Sequence, residues 1–173
     1  MAAELQVRPL RPDDLPAYKA LRDEMLALHP EAFTSDAATE RPRPASAYLP
    51  RLGLDRPEGG QFTLGAWTAD RLLGAISCER ETRPKVRHVG HLTGLMVRAD
   101  ARGRGVGRLL LAACIAEARR ANGLESLTLS VTAGNAAAVA LYEAAGFRRY
   151  GRLPRAVKVG DAYHDKDLMV LSL

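Results

Sequence analysis

The chain has 173 residues, 47% of them apolar and 26% charged, with 25 basic against 20 acidic side chains and a formal charge of +5. Such a balance suits a globular chain with its own core, and its mild basicity favours an acidic ligand without choosing among cofactor, substrate and nucleic acid. Two cysteines are too few for a disulfide scaffold, 5% aromatic residues give no stacking platform for single strands, and no apolar run approaches bilayer length.

With no apolar segment of the signal-peptide kind near the start, a single domain over 1–173 and a cytoplasmic location are expected. Glu4 to Arg11 alternates like a strand, with Leu5, Val7 and Leu10 apolar. Asp13-Asp14 can cap a helix running to about His29, where Leu15, Tyr18, Leu21, Met25 and Leu28 share one face and His29-Pro30 ends it. Residues 30–60 are rich in proline and glycine, with a short helix expected near Ala45 to Leu52; this irregular stretch is suited to walling a site. Strands are expected over Gln61 to Thr68 and Leu72 to Glu81, then, after a loop from Arg83 to Arg87, over His88 to Val97. A glycine-rich loop leads to a helix from Leu109 to Ala121, followed by a strand from Leu127 to Thr132 and a helix from Asn135 to Ala145. Phe147 to Leu153 and His164 to Leu173 read as closing strands. The pattern predicts an α/β or α+β mixed sheet rather than a regularly alternating doubly wound one.

Two segments carry chemistry. In Arg98 to Arg108 (RADARGRGVGR), Gly103, Gly105 and Gly107 alternate with arginine and valine between a strand and a helix. Glycines there let the main-chain N–H groups approach a ligand, the helix start adds a positive dipole end, and the arginines add full charge. Gly107-Arg108-Leu109 lacks the Lys-Ser/Thr of a Walker loop, and the G-x-G-x-G spacing after several strands is not that of a dinucleotide-binding fold. A polyanion cradle remains, beside the plainer reading of a glycine-rich turn with solvated arginines. In the second segment Asn135 can cap a helix that Gly146 closes, and Tyr142 lies seven residues on, about 10.5 Å along the same face. The plainer reading is that Asn135 only caps and Tyr142 only packs.

Together, Arg102-x-x-Gly105-x-Gly107 and Asn135-x-x-Ala138-x-x-Leu141-Tyr142-x-x-x-Gly146-Phe147 resemble the GNAT superfamily of acyl-CoA N-acyltransferases, and only Glu31 to Gly60 lacks a recognisable pattern. The resemblance implies a mostly antiparallel sheet of six to seven strands with splayed central strands and about four helices. It implies acetyl-CoA in the notch: the main chain of Leu95, Met96 and Val97 beside the pantetheine arm, and N–H groups from Gly103 through Arg104, Gly105 and Val106 to Gly107 around the pyrophosphate. Arg102, Arg104 and Arg108 would add charge there, and Asn135 would touch the pantetheine. A main-chain N–H near Met96-Val97 would polarise the thioester carbonyl.

The resemblance makes Tyr142 the general acid for the departing thiolate, in direct transfer to a primary amine of a small molecule or peptide. Glu79 is the first candidate for the base, with Glu81, His91 and a water chain as alternatives, and a surface carboxylate beside Arg80 as its plainer reading. Cys78 has no paired histidine to make it a nucleophile, and His88 and His91 fall on opposite strand faces, so no metal is expected. The acceptor is expected to meet Glu31 to Gly60 and Leu153 to His164, with Phe33, Tyr48, Tyr163 and His164 as candidate lining. The basic stretch of Arg148, Arg149, Arg152, Arg155 and Lys158 reads as a solvated face or a greeting for an acidic acceptor. No membrane or nucleic-acid partner is expected, and a homodimer is the common first guess. A non-catalytic acyl-CoA-binding or regulatory module, or nucleic-acid binding through the arginine loop, stand as alternatives.

Overall fold

Alternating apolar residues build seven strands that hydrogen-bond into one sheet. The computed structural model describes residues 4–173, so the first three residues of the domain expected over 1–173 lie outside it. The strands are β1 (Leu5–Pro9), β2 (Phe62–Thr68), β3 (Arg71–Arg80), β4 (Val89–Val97), β5 (Ser126–Thr132), β6 (Arg148–Val159) and β7 (Ala162–Ser172), in the order β1-β2-β3-β4-β5-β7-β6. All neighbours are antiparallel except β4 and β5. The helices are α1 (Leu15–Leu28), α2 (Ala37–Glu40), α3 (Val106–Arg120) and α4 (Ala136–Ala144), with a 3-10 segment over Ala45–Leu52. The mixed, mostly antiparallel sheet and the four helices match the expected fold class.

Each face of the sheet buries its own cluster. On one, Leu110, Leu111 and Cys114 of α3 pack on Leu64, Ile76, Cys78 and Leu127, and Tyr142 and Phe147 extend the same cluster. On the other, Tyr18, Leu21 and Met25 of α1 meet Tyr48, Trp67, Ala75 and Met96.

Two element bounds depart from expectation. Helix α3 starts at Val106 rather than Leu109, because Gly105 takes the N-cap in a left-handed conformation (φ 78°) and the first turn tolerates Gly107. The expected loop from Leu153 to His164 is instead a β-ribbon turning at Gly160. Pro154 interrupts its alternation, and the register shifts between Leu153 and Val157, where Arg155 takes φ 49°.

Two irregularities position the site. Parallel pairing of β4 with β5 covers only Val89–His91 against Ser126–Thr128, so the strands part toward Val97 and Thr132. Between the pairs Ala75↔Met96 and Ser77↔Thr93, β4 carries one residue more than β3, and Gly94 absorbs this bulge at φ 60°.

Arg80 fixes the far end of the sheet. It is buried, and its guanidinium donates to four main-chain carbonyls: Arg87 (2.7 Å), Asn122 (2.7 Å), Gly59 (3.0 Å) and Glu58 (3.3 Å). Arg80→Met leaves these carbonyls without their donor and is expected to lower the unfolding free energy by about 2–4 kcal/mol, read as a lower denaturant midpoint at unchanged slope.

Candidate functional site

Where β4 and β5 separate, a cavity of about 310 Å³ opens between the strands, bordered by Arg22 of α1 and by Ile76 and Tyr142 of the α3-side cluster. Thr93, Gly94 and Leu95 of β4 form one wall, Ser130 to Thr132 of β5 with Asn135, Ala138 and Tyr142 the other, and Ala32 to Ser35 the outer side. A second cleft, lined by Val97, Arg102, Gly134 and Ala137, meets the first at Leu95, Thr132, Asn135 and Ala138. The opening therefore runs through the notch from Arg22 and Arg51 to Arg102, the residue that precedes Gly103.

The outer wall is fastened by three polar ties. Thr132 Oγ1 donates to the Glu31 carbonyl (2.8 Å), Lys166 Nζ donates to Thr34 Oγ1 (3.1 Å), and Arg22 Nη2 donates to Ser35 Oγ (2.9 Å).

At the glycine end, Gly103 (φ 71°) and Gly105 have nothing within 4 Å of an added Cβ, so their backbone borders open space. The first helical acceptor is taken by the Leu109 N–H, bonded to the Gly105 carbonyl at 3.0 Å. The N–H groups of Val106, Gly107 and Arg108 precede it and need other partners. The Val106 side chain is buried in the core, so only its main chain faces a ligand. Gly107 lies inside the helix, where an added Cβ would stand at ordinary contact distance from Leu141 and Val97. Arg102 donates to His29 Nε2 (2.6 Å), while Arg104 and Arg108 are exposed and have no ion pair among the described residues.

Asn135 caps α4, its Oδ1 accepting from the Ala138 N–H at 3.2 Å, and it lines both clefts. Tyr142 shares its cavity, as the helical spacing predicts. The Tyr142 ring packs edge-on to Phe147, and burial, aided by neighbouring Cys114, pushes the phenol up to about 12. Among the described residues its hydroxyl has no hydrogen-bond partner. Leu95 and Val97 reach the clefts, whereas the Met96 side chain is buried against α1 and leaves only its main chain to the notch.

Glu79 lines the cavity, accepts from Thr93 Oγ1 (3.3 Å) and sits 3.7 Å from Arg51 Nε. Arg80 turns to the opposite face, so Arg51 and not Arg80 is its cationic neighbour. Glu81 and His91 form a separate group: His91 binds Glu81 (3.1 Å) through Nε2 and Thr128 (2.6 Å) through Nδ1, outside the cavity lining. Cys78 is buried under the sheet, and burial first and Glu79 second push its thiol up to about 12, which removes it as a nucleophile. The described residues hold no cluster of three metal-ligating side chains, and none of their helices is long and apolar enough to cross a membrane.

Of the expected acceptor residues, Phe33 lines the cavity and His164 the second cleft. Tyr48 is buried beneath, donating to Glu40, and Tyr163 lies exposed under Arg155 on the ribbon. The basic stretch does not reach the cavity: Arg149 and Arg152 pair with Asp167 at 3.4 and 2.8 Å, and Arg155 and Lys158 flank Tyr163. The cations that do line it are Arg22, Arg51 and Lys166, from three distant segments. Arg22 carried a readable signal, since it lies with Tyr18, Leu21 and Met25 on the buried stripe of α1, where an arginine needs partners.

The sequence matches the model of the acetyltransferase (GNAT) family over residues 19–147. It is 35% identical to a mycothiol acetyltransferase of Salinispora tropica over 143 residues, 83% of this chain and 43% of that protein, so it spans less than half of that relative's length. Among solved structures, an acetyltransferase of the GNAT family from Streptococcus pneumoniae superposes with a TM-score of 0.85 at 26% identity, over 98% of this chain and all of that one. A GCN5-related N-acetyltransferase from Kribbella flavida gives 0.82 at 29%, over 98% of each chain. The family match begins within α1 and ends at Phe147, taking in both walls of the notch, and the chain belongs to the acetyltransferase (GNAT) family.

Proposed function

We propose that the protein transfers an acetyl group from acetyl-CoA to an amine in one direct step with both substrates bound. The observation that carries this reading is the parting of β4 from β5 into a cleft with two chemically different ends. One end offers free N–H groups, open glycine backbone and arginines; the other offers a walled cavity with a buried phenol.

The residues present fit acetyl-CoA. The unpaired edge of β4 at Leu95, Met96 and Val97 offers main-chain groups to an extended amide-bearing arm. Asn135 keeps its amide nitrogen uncommitted beyond the cap. The N–H groups from Gly103 through Arg104, Gly105 and Val106 to Gly107, with the side chains of Arg102, Arg104 and Arg108, suit a pyrophosphate at the start of a helix. When bound, acetyl-CoA supplies the acetyl group activated as a thioester.

In this reading the acceptor nitrogen forms its bond to the acetyl carbon as the carbon–sulfur bond breaks. The nitrogen loses one proton, which Glu79 takes through water, and the sulfur gains one from Tyr142. A phenol held above its ordinary value stays protonated at neutral pH, so the proton is present when the thiolate departs. Its burial among Phe147 and the core keeps its position fixed.

Three outcomes test the reading. Acetyl-CoA or CoA at one hundred times its Kd is expected to stabilise the fold by about 2.7 kcal/mol, seen as a raised Tm; no shift at millimolar CoA removes it. Tyr142→Phe is expected to lower kcat about 100- to 1000-fold with the CoA Kd unchanged, whereas CoA binding without thiol release across a broad amine panel would mark a binding module. Because the Tyr142 phenol lies near 12 when folded and near 10 when unfolded, its contribution to stability is intact below about pH 10 and is lost as pH rises toward 12. The wild type, compared with Tyr142→Phe, is therefore expected to lose extra stability only above about pH 10, and its kcat profile to show no falling limb from Tyr142 below that pH.

A further inference from the structure

The cavity's charge names the kind of amine it takes. It is lined by three cations, Arg22, Arg51 and Lys166, and by one carboxylate, Glu79. Lys166 is nearly buried, bonds only to the Thr34 hydroxyl among the described residues, and has no carboxylate in ion-pair range. The adjacent Asp167 is taken up by Arg149 and Arg152.

The cations converge at the β4 bulge. Around the point where a Cβ on Gly94 would stand lie Arg22 Nη1 at 3.8 Å, Arg51 Nη1 at 3.9 Å and Tyr18 Oη at 4.0 Å. Arg51 Nη1 donates to Tyr18 Oη at 3.1 Å, which leaves the phenol hydrogen free to donate onward. Arg22 is only 4% exposed; its Nε faces Glu40 at 3.5 Å without a hydrogen bond, Glu40 also accepts from Arg43 and Tyr48, and Nη1 is the tip turned toward Gly94. A buried guanidinium whose carboxylate is shared with other donors favours a further anion at its other tip. Two guanidinium tips and a phenol O–H around a glycine that leaves room beside them are donors for a carboxylate. Glu79, 3.7 Å from Arg51 Nε, offers the opposite charge immediately beside this cradle.

We infer that the acceptor is a zwitterion of the α-amino acid type, its carboxylate held by Arg22, Arg51 and Tyr18 at Gly94 and its amino group beside Glu79. This rests on the acetyl-transfer reading above and adds the substrate class. The ammonium beside Glu79 first gives one proton to solvent; the neutral amine then attacks, and its second proton passes through water to Glu79, while Lys166 keeps the cavity cationic and excludes positively charged side chains. Polyamines and lysine-rich peptides are poor acceptors on this account.

The test is thiol release from acetyl-CoA with each of the common L-amino acids, its α-amide and the corresponding decarboxylated amine, together with peptides that begin with Asp or Glu. For at least one amino acid, kcat/KM is expected to exceed that of its amide by tenfold or more. Arg51→Gln is expected to raise KM for that acid at least about tenfold more than KM for its amide, which shares only the contact with Glu79, and Arg51→Lys to recover part of that difference. Tyr18→Phe, which removes only one hydroxyl from a packed ring, is expected to raise KM for the acid alone by a smaller factor. The CoA-induced rise in Tm, retained in every variant, keeps this test separate from the acetyl-transfer reading. Amides serving as well as acids, variants that move acid and amide alike, acidic peptides outperforming every free amino acid, or no amino acid serving although CoA binds would each overturn the inference. Failure of CoA itself to bind would instead overturn acetyl transfer and this inference with it.

Discussion

Three residues of parallel pairing hold β4 to β5, and everything about the cleft follows from where that pairing stops. Beyond His91 and Thr128 each strand keeps hydrogen bonds to its outer neighbour, β3 or β7, and has a bare inner edge. Unpaired main chain away from water is costly, so an edge of this kind persists only where solvent or a ligand can reach it. The bulge at Gly94 widens the gap from one side. The turn from β5 through Gly134 into α4 sets Asn135 and Tyr142 on the other. The cleft is thus made by withholding sheet pairing at the middle of an otherwise continuous sheet.

The ends of the opening differ because different parts of the chain supply their charge. The glycine end offers main-chain dipoles and exposed arginines, which suits a polyanion that arrives and leaves in solvent. The α1 end relies on side chains fixed by packing: Arg22 is buried on α1, and Arg51 is held by Tyr18 and beside Glu79. Fixed charges in a confined space discriminate more sharply than solvated ones, since an unmatched group there stays unmatched. On the proposed reading, the first end serves a part common to many donors and the second distinguishes acceptors.

What the sequence made legible was local. Gly103 and Gly105 stand next to the helix they cap, and Asn135 and Tyr142 lie on one helix whose period places them together. The family resemblance rested on those two segments, and the strand order around them matched the sheet. The start of α3 was set three residues late because Gly107 reads as loop, although a first turn loses little by containing glycine. The β6–β7 ribbon was cut short because Pro154 and the bulge near Arg155 break the alternation by which strands are recognised. Arg51 and Lys166 are not legible for another reason: more than one hundred residues apart, they reach one cavity by separate tertiary contacts, Lys166 by its register opposite Thr132 and Arg51 by packing of its 3-10 segment on Tyr18 of α1. The arginine-rich stretch from Arg148 to Lys158 was more conspicuous in sequence, yet its charges are met by Asp167 or lie along Tyr163.

The outer wall of the cavity has a thermodynamic character of its own. The residues from Glu31 to Ser35 are tied to the sheet and to α1 by hydroxyl, lysine and arginine hydrogen bonds, with Phe33 as the apolar contact. Such a segment has far less buried apolar surface to lose than the sheet beneath it. It is therefore expected to open at a lower free energy than that sheet. If the proposed acceptor grips Arg22, which also holds Ser35, its binding and the attachment of this wall are thermodynamically linked.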